Sequence, residues 1–207
     1  MGRGGHGGGF AGAGHSHDPD QPEDSWNLYQ HIERVEALNA TVPTDGAGIF
    51  KPHAFRLQAE PCLVSDSDEE LLIKVSFTSP VNVRRIMIIG GGDVDRHPSR
   101  LAVFVGSEEM DFSSVEDTPA TQEFDLAPNP QGEGFMTTRQ GPFTHVTSVA
   151  FFVDANQGGA TETAIQYIGL QGDHTHDKRR AVDAVYELNC VHRDTSVKST
   201  MGAAEGI

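Results

Sequence analysis

The sequence predicts an all-β fold, an antiparallel β-sandwich or jelly roll, from three observations. Short apolar stretches alternate with polar residues at a period of two, regular turn signals separate them, and only one segment has the apolar spacing of a helix. The middle of the 207-residue chain, roughly 170 residues, is long enough for one hydrophobic core. A parallel α/β sheet is not expected, because long helical patterns do not alternate with the strands.

The clearest strand covers residues 71–78, where apolar side chains from Leu71 to Phe77 alternate with polar ones. Ser79-Pro80 follows it as a turn signal. Further strands are predicted at residues 83–89, 101–105, 146–153, 163–170 and 182–188.

Residues 26–40 carry the one helical pattern. Apolar residues lie three or four positions apart at Leu28, Ile32, Val35 and Leu38, which predicts one short helix or two helical turns. Asp24 and Ser25 precede this segment as candidate caps, and Asn39 and Pro43 end it.

The two ends of the chain are predicted to be flexible tails around a folded domain at residues 25–194. Residues 1–24 are rich in glycine and polar residues, which lose much entropy on ordering and have little to bury in return. Residues 195–207 are similarly small and polar. The N-terminus carries no secretory pattern, and His6 stands where a myristoylation motif needs Ser or Thr. We therefore expect the protein in the cytoplasm or nucleus, with Cys62 and Cys190 as two thiols.

The charge excludes one large class of function. The chain has 15 Lys and Arg residues against 30 Asp and Glu residues, a formal net charge of −15 with its ten histidines neutral. A nucleic-acid binder needs a basic face to neutralise phosphates, so this class is not expected. No stretch approaches the roughly 20 apolar residues that span a bilayer, so no membrane association is expected either.

The glycine run at residues 90–92 is interpreted as a tight connection between strands. A dinucleotide fingerprint needs a third glycine where Asp95 stands, and it needs a helix where His97-Pro98 breaks the chain. No Gly-Lys-Ser/Thr follows, so a phosphate-binding loop fails as well.

The acidic run at residues 66–70 is interpreted as a solvated loop before a strand. A calcium loop needs glycine where Leu71 begins the strand, although four carboxylates would still attract a cation weakly. Two loose groups of histidines indicate only adventitious metal affinity, so no metal or cofactor is predicted. These groups are His6, His15 and His17, and His174 and His176.

No sequence motif supports catalysis. The chain lacks a Gly-x-Ser-x-Gly elbow and a Cys-x-x-Cys pair, so a non-enzyme is expected. A hydrolase with a spatially assembled site stays open, because triads are recognised by geometry and not by sequence order.

Several short phrases, taken in order, resemble the PITH domain family. They are residues 28–29 with Ile32, 38–39, 48–52, 65–72, 110–112, Phe143 with Val146, 152–156 and 167–172. The resemblance covers about residues 26–190, nearly all of the predicted folded part. The family is named for the proteasome-interacting domain of a thioredoxin-like protein, and the resemblance implies a jelly-roll sandwich related to galactose-binding-like domains. Too few residues precede Trp26 for a thioredoxin domain, so the chain is similar to the stand-alone members.

The resemblance implies a protein-interaction module that associates with proteasome subunits as an adaptor or regulator, without a cofactor and as a monomer. Acidic loops are the expected contact with a basic partner surface. The candidate partner-binding residues are Asp66, Asp68, Glu69, Glu70, Asp93 and Asp95. The alternative is a small-ligand or carbohydrate-binding module, although Trp26, the sole tryptophan, is expected to anchor the core and not to offer a binding platform.

Overall fold

The computed structural model describes residues 25–41, 46–106 and 108–175, and it confirms the all-β prediction. The eight strands are β1 Ile32–Leu38, β2 Leu63–Val64, β3 Leu71–Gly90, β4 Pro98–Val105, β5 Gln122–Asp125, β6 Met136–Thr137, β7 Val146–Asn156 and β8 Ala164–His174. One α-helix, α1, covers Phe112–Asp117, and short 3-10 helices cover Leu28–His31, Ala47–Ile49, His53–Phe55 and Val94–Arg96. The predicted strand at 182–188, Cys190 and both predicted tails lie outside the described residues.

Strand β3 organises the sheet. The strand order is β2-β8-β3-β7-β4-β5, β1 and β6 also pair with β3, and every pairing is antiparallel. The first half of β3 pairs with β1 and β7, whereas its second half pairs with β8 and β6. A strand that changes partners in this way forms a corner between the two layers of a sandwich.

The prediction of two separate strands around Ser79-Pro80 is wrong, because β3 continues through it for 20 residues. Proline lacks a backbone N–H and is tolerated in sheets at bends and bulges. The pairing with β7 accordingly shifts register between Ser76 and Val81. The turn signal is therefore a bend inside one strand.

The bend returns β3 to the end of the sandwich where it began. Leu71 pairs with Val153 near the end of β7, and Gly90 pairs with Ile165 near the start of β8. Only residues 157–163 separate β7 from β8. Both ends of β3 therefore lie beside this one connection.

The helix prediction for residues 26–40 holds only for the 3-10 turn Leu28–His31, because the rest forms β1. Pairing with β3 gives this segment backbone partners along its length and buries Val35. It also sets Glu36 opposite Lys74, with 3.3 Å between the carboxylate and the ammonium group. These long-range contacts outweigh the short amphipathic stripe, as tertiary context often does.

The main core lies between the two halves of β3 and their partner strands, and Phe77, Phe143 and Phe151 are among its fully buried residues. A second cluster around Leu72 and Phe104 is covered by residues of the α1 region. A third cluster packs Trp26 against Met87, Ile89 and Tyr167, which confirms that Trp26 is a buried anchor. Helix α1, whose N-cap Asp111 forms a capping box with Ser114, was not predicted from the sequence.

We expect Phe151→Ala to lower the free energy of unfolding by about 3–5 kcal/mol, because the side chain is fully buried and its removal leaves a cavity. Phe55→Ala is the matched control, since Phe55 is 49% exposed and should change stability by about 0.5 kcal/mol or less. Urea denaturation of both variants measures the difference. Equal effects in the two variants would contradict the assigned core.

Candidate functional site

Asn39 holds the acidic loop 66–70 in place. Its backbone is left-handed, with φ of 61°, a conformation that asparagine tolerates better than most residues. Its side-chain amide donates to Asp68 Oδ1 and to the Glu70 carbonyl, both at 2.7 Å, and its Oδ1 accepts from the Ser67 N–H at 3.1 Å. The loop is therefore fixed by the residue that follows β1, and its exposed carboxylates are presented in a defined arrangement.

The turn that carries Asp93 and Asp95 packs against the connection 157–163. The Gly158 N–H donates to the Asp95 carbonyl and the Gln157 N–H donates to the His97 carbonyl, both at 2.9 Å. Gly158 is required for this approach, because a Cβ there would lie 2.4 Å from Asp95 Cβ.

The same connection contacts the acidic loop 66–70. Thr163 Oγ1 donates to the Glu69 carbonyl at 2.7 Å. The backbones of Ser65 and Thr163 are also joined, because the Ser65 N–H donates to the Thr163 carbonyl at 2.9 Å. Residues 66–70, 91–97 and 157–163 therefore form one surface, which we name the acidic end.

The structure brings all six predicted binding residues to the acidic end. Asp66, Asp68, Asp93 and Asp95 are exposed, and Glu69 and Glu70 are partly buried. Asp68 also has a structural role, because its carboxylate accepts from the Asn39 side chain and from the Glu70 N–H at 3.1 Å.

Two further acidic residues were not predicted: Glu162 belongs to the acidic end, and Asp154 lies beside it near the end of β7. Arg96 forms an ion pair with Glu162 at 2.8 Å, and Arg100 forms one with Asp154 at 3.2 Å. The sequence gives no signal for either pair, because the partners are more than fifty positions apart. These two arginines neutralise only part of the negative charge.

Burial and several carboxylates that lie close to Glu70 raise its pKa. Burial raises the pKa of the Glu70 carboxyl above its ordinary value, and the nearby carboxylates of Asp68 and Glu69 raise it further. Asp154 and Glu116 act in the same direction. The charged form of Glu70 is therefore disfavoured at the acidic end.

A cleft of about 380 Å³ opens next to the acidic end. It lies between the end of β3, the start of β4, the segment after β5 and the start of β6. Its lining residues are Ile88, Gly90, His97, Pro98, Asp125, Leu126, Ala127, Pro128, Asn129, Gly134, Phe135 and Met136. The sequence marks His97 only as part of a turn signal, and the cleft has no sequence signal because its walls come from four separate segments.

Cys62 is a free, half-buried thiol whose Sγ lies beside Gly91. Burial raises the pKa of the Cys62 thiol, and the neighbouring Glu60 raises it further. The thiolate is the nucleophilic form of cysteine, so these surroundings disfavour a reactive cysteine.

Within residues 25–41, 46–106 and 108–175, no three His, Cys, Asp or Glu side chains lie close enough together to hold a metal ion. In the same ranges, no helix has the length and apolar character needed to cross a membrane.

The strand order, the bend in β3 and the three clusters define an antiparallel β-sandwich of jelly-roll type. The sequence profile of the PITH domain matches residues 18–190, and the chain therefore belongs to the PITH domain family. It is 33% identical over 186 residues to PITH domain-containing protein 1 of Danio rerio, covering 88% of this chain and 87% of that protein. It is 34% identical to the Homo sapiens protein of the same name over 166 residues, covering 79% and 77% of the two chains.

Solved structures with a similar fold include carbohydrate-binding modules. The CBM32-1 and CBM32-2 domains of Clostridium perfringens ZmpB align over 70% of this chain and 35% of theirs, with a TM-score of 0.52 and 10% identity. The family 32 module of C. perfringens NanJ, solved with galactose, aligns over 69% of this chain and 95% of its own, with a TM-score of 0.50 and 7% identity. At these identities the likeness supports the galactose-binding-like jelly roll alone.

Substituting Glu70→Gln should raise the free energy of unfolding at pH 7. The pKa of the Glu70 carboxyl in the folded state lies above its ordinary value of 4.5. At a pH between 4.5 and the folded-state pKa, this carboxyl therefore binds more protons in the folded state than in the unfolded state. The ionised carboxylate therefore lowers stability at neutral pH, and this cost disappears as the pH falls below the ordinary value. Urea denaturation from pH 3 to pH 7 should show the variant's advantage shrinking towards zero at about pH 3–4.

Glu33→Gln is the control for this measurement. Glu33 is exposed on β1, at the opposite end of the sandwich from the acidic end. Its substitution should change stability by about 0.5 kcal/mol or less across the same range. A Glu70→Gln variant that is less stable than the parent protein at pH 7 would contradict the conclusion that burial and the neighbouring carboxylates disfavour the ionised form of Glu70.

Proposed function

We propose that the chain is a non-catalytic protein-interaction module whose acidic end docks on a basic surface of a partner protein. The observation that carries this proposal is the joining of two acidic loops, distant in sequence, through the connection 157–163. Loops on a rigid β-sandwich commonly carry binding residues, and membership of the PITH domain family supports an interaction module.

Electrostatics supports this mode of docking. Four of the six carboxylates are exposed. The Asn39 and Thr163 side chains hold the loop 66–70, and the backbone N–H groups of Gln157 and Gly158 hold the turn with Asp93 and Asp95, before any partner arrives. Pre-ordered loops reduce the entropy lost on binding. Clustered charge of one sign also steers a partner of opposite charge and accelerates encounter.

The proposed partner is the proteasome, acting in the cytoplasm or nucleus. This step rests on the family resemblance, and the acidic end adds the requirement that the contacted subunit presents a basic patch. The proposed role is that of an adaptor or regulator without catalytic activity. The raised pKa of the Cys62 thiol and the lack of a Cys-x-x-Cys pair both support this reading.

A second candidate function is the binding of a small ligand or carbohydrate. The fold is shared with modules such as that of NanJ, solved with galactose, but this likeness alone does not transfer a ligand. The specific observation in favour is the cleft, whose volume falls at the lower end of the range of small-molecule sites.

The docking proposal is tested with the double variant Asp66→Asn, Asp93→Asn and purified proteasome. Both side chains are exposed, and the described hydrogen bonds that fix their loops do not use them. The variant should bind about 2- to 30-fold more weakly at low salt, because exposed charge pairs each contribute about 0.2–1 kcal/mol. The dependence of affinity on salt concentration should also become shallower.

The matched control is Glu33→Gln, Asp173→Asn, which removes the same charge from the opposite end of the sandwich. Asp173 pairs with Asn82, next to the bend of β3, and Glu33 lies at the start of β1. This control should keep the parent affinity within about 2-fold. Equal weakening by both double variants would show that only net charge matters, and no binding of the parent chain at low salt would exclude the proteasome as partner.

A further inference from the structure

We propose that a surface of exposed apolar and cationic side chains binds an acidic segment of another protein that carries an aromatic or aliphatic side chain. We name this surface the aromatic–basic face, and its members are His53, Phe55, Arg56, Leu57, Arg85 and Phe135. The inference goes beyond docking at the acidic end, because the two surfaces attract partners of opposite charge.

Exposed apolar side chains concentrate on the aromatic–basic face. Among the described residues, four large apolar side chains are exposed, and three of them, Phe55, Leu57 and Phe135, belong to this face and are 48–50% exposed. The fourth is Val94, on the acidic end. Apolar residues scattered singly over a surface need no explanation, whereas a group of them beside polar residues is typical of an interaction site.

Trp26 and Arg56 join the two segments that form the face. The His53 ring stacks on the Trp26 indole with 5.6 Å between the ring centroids, and the Phe135 ring meets the same indole edge-on at 6.3 Å. Arg56 Nε donates to the Gly132 carbonyl at 3.2 Å. Residues 53–57 and 132–135 are therefore held together before a partner arrives, which reduces the entropy lost on binding.

Two arginines of the face form no ion pair with any described residue. The Arg85 guanidinium carbon lies 4.5 Å from the Phe135 ring centroid, and Arg56 donates to the main-chain carbonyls of His53 and Gly132. Ion pairs are formed instead by Arg34, Lys74, Arg84, Arg96 and Arg100. A guanidinium group binds carboxylates through parallel N–H bonds, so these two arginines favour an acidic partner.

Charge and exposed apolar surface together define the occupant. Carboxylates of an acidic segment pair with Arg56 and Arg85, and an aromatic or aliphatic side chain covers Phe135 and its apolar neighbours. Aromatic rings beside arginines also suit single-stranded nucleic acid, but the net charge of −15 repels a phosphate backbone. Glu133 is exposed beside Phe135 and opposes an acidic partner, so its removal has an effect of opposite sign to the removal of an arginine.

The test titrates the full chain with an end-blocked heptapeptide of five acidic residues, one phenylalanine and one leucine. Trp26, the sole tryptophan, reports on binding through its indole fluorescence, and the backbone amide signals of residues 53–57 and 132–136 locate the contact. We expect both to change. A matched peptide with serine in place of the two apolar residues should bind about tenfold more weakly or worse, because it buries less apolar surface.

Three variants of the full chain test the face itself. Arg85→Gln should weaken binding of the acidic peptide by about 1.4- to 5-fold, the value of one exposed charge pair. Phe135→Ala should weaken it by about fivefold or more, because an aromatic contact is lost. Glu133→Gln should strengthen it by about 1.4- to 5-fold, because a like charge is removed.

The chain offers a matched control for each kind of change. Arg84→Gln removes the same charge from the neighbouring residue of β3, whose side chain pairs with Asp173. Val94→Ala removes the exposed apolar side chain that lies outside the face. Both controls should keep the parent affinity within about 2-fold.

Four outcomes would overturn the inference. The first is an acidic peptide that leaves the amides of the face unchanged, and the second is equal weakening by Arg85→Gln and Arg84→Gln. The third is a shift of these amides by an oligothymidine strand, or by the heptapeptide with lysine in place of its acidic residues, instead of the acidic peptide. The fourth is a shift of the same amides without any peptide in the variant Asp18→Asn, Asp20→Asn, Glu23→Gln, since the chain's own acidic segment would then be the occupant.

Discussion

The bend of β3 at Ser79-Pro80 is the constraint on which the rest of the structure depends. It allows one strand to pair with β7 in its first half and with β8 in its second half. Both ends of β3 therefore lie beside the connection 157–163, which contacts the acidic loop before the strand and the glycine turn after it. The two loops are separated in sequence by the whole of β3, so they belong to one surface only because the strand bends back.

Asparagine and glutamine side chains then convert this proximity into fixed loops. Asn39 holds the loop 66–70, and Asn156 binds the Ala160 N–H and carbonyl within the connection 157–163, at 2.8 Å and 2.7 Å. Asn129 and Gln157 do the same around the cleft. An amide both donates and accepts, so one side chain satisfies several backbone groups of a tight loop. The result is a pair of adjacent preformed features, the acidic end and the cleft.

The sequence predicts what local patterns determine and misses what distant contacts determine. The alternation from Leu71 to Phe77 identifies half of β3, because burial on one face repeats every second residue. The helical spacing from Leu28 to Leu38 predicts the wrong structure for most of this segment, because pairing with β3 stabilises a strand there. The six acidic residues are recognisable as loop residues, but their assembly at one end requires the bend. His97 gives no signal, because its burial depends on Gly90 and the walls of the cleft.

The most direct test of the central claim is an NMR titration of the ¹⁵N-labelled full chain with purified proteasome. Docking by the acidic end predicts that the backbone amides of residues 66–70, 91–97 and 157–163 broaden together at substoichiometric proteasome, and that added salt restores them. Broadening confined to other surfaces, such as the region of Phe55 and Phe135, would contradict the account. So would broadening of only one of the three segments.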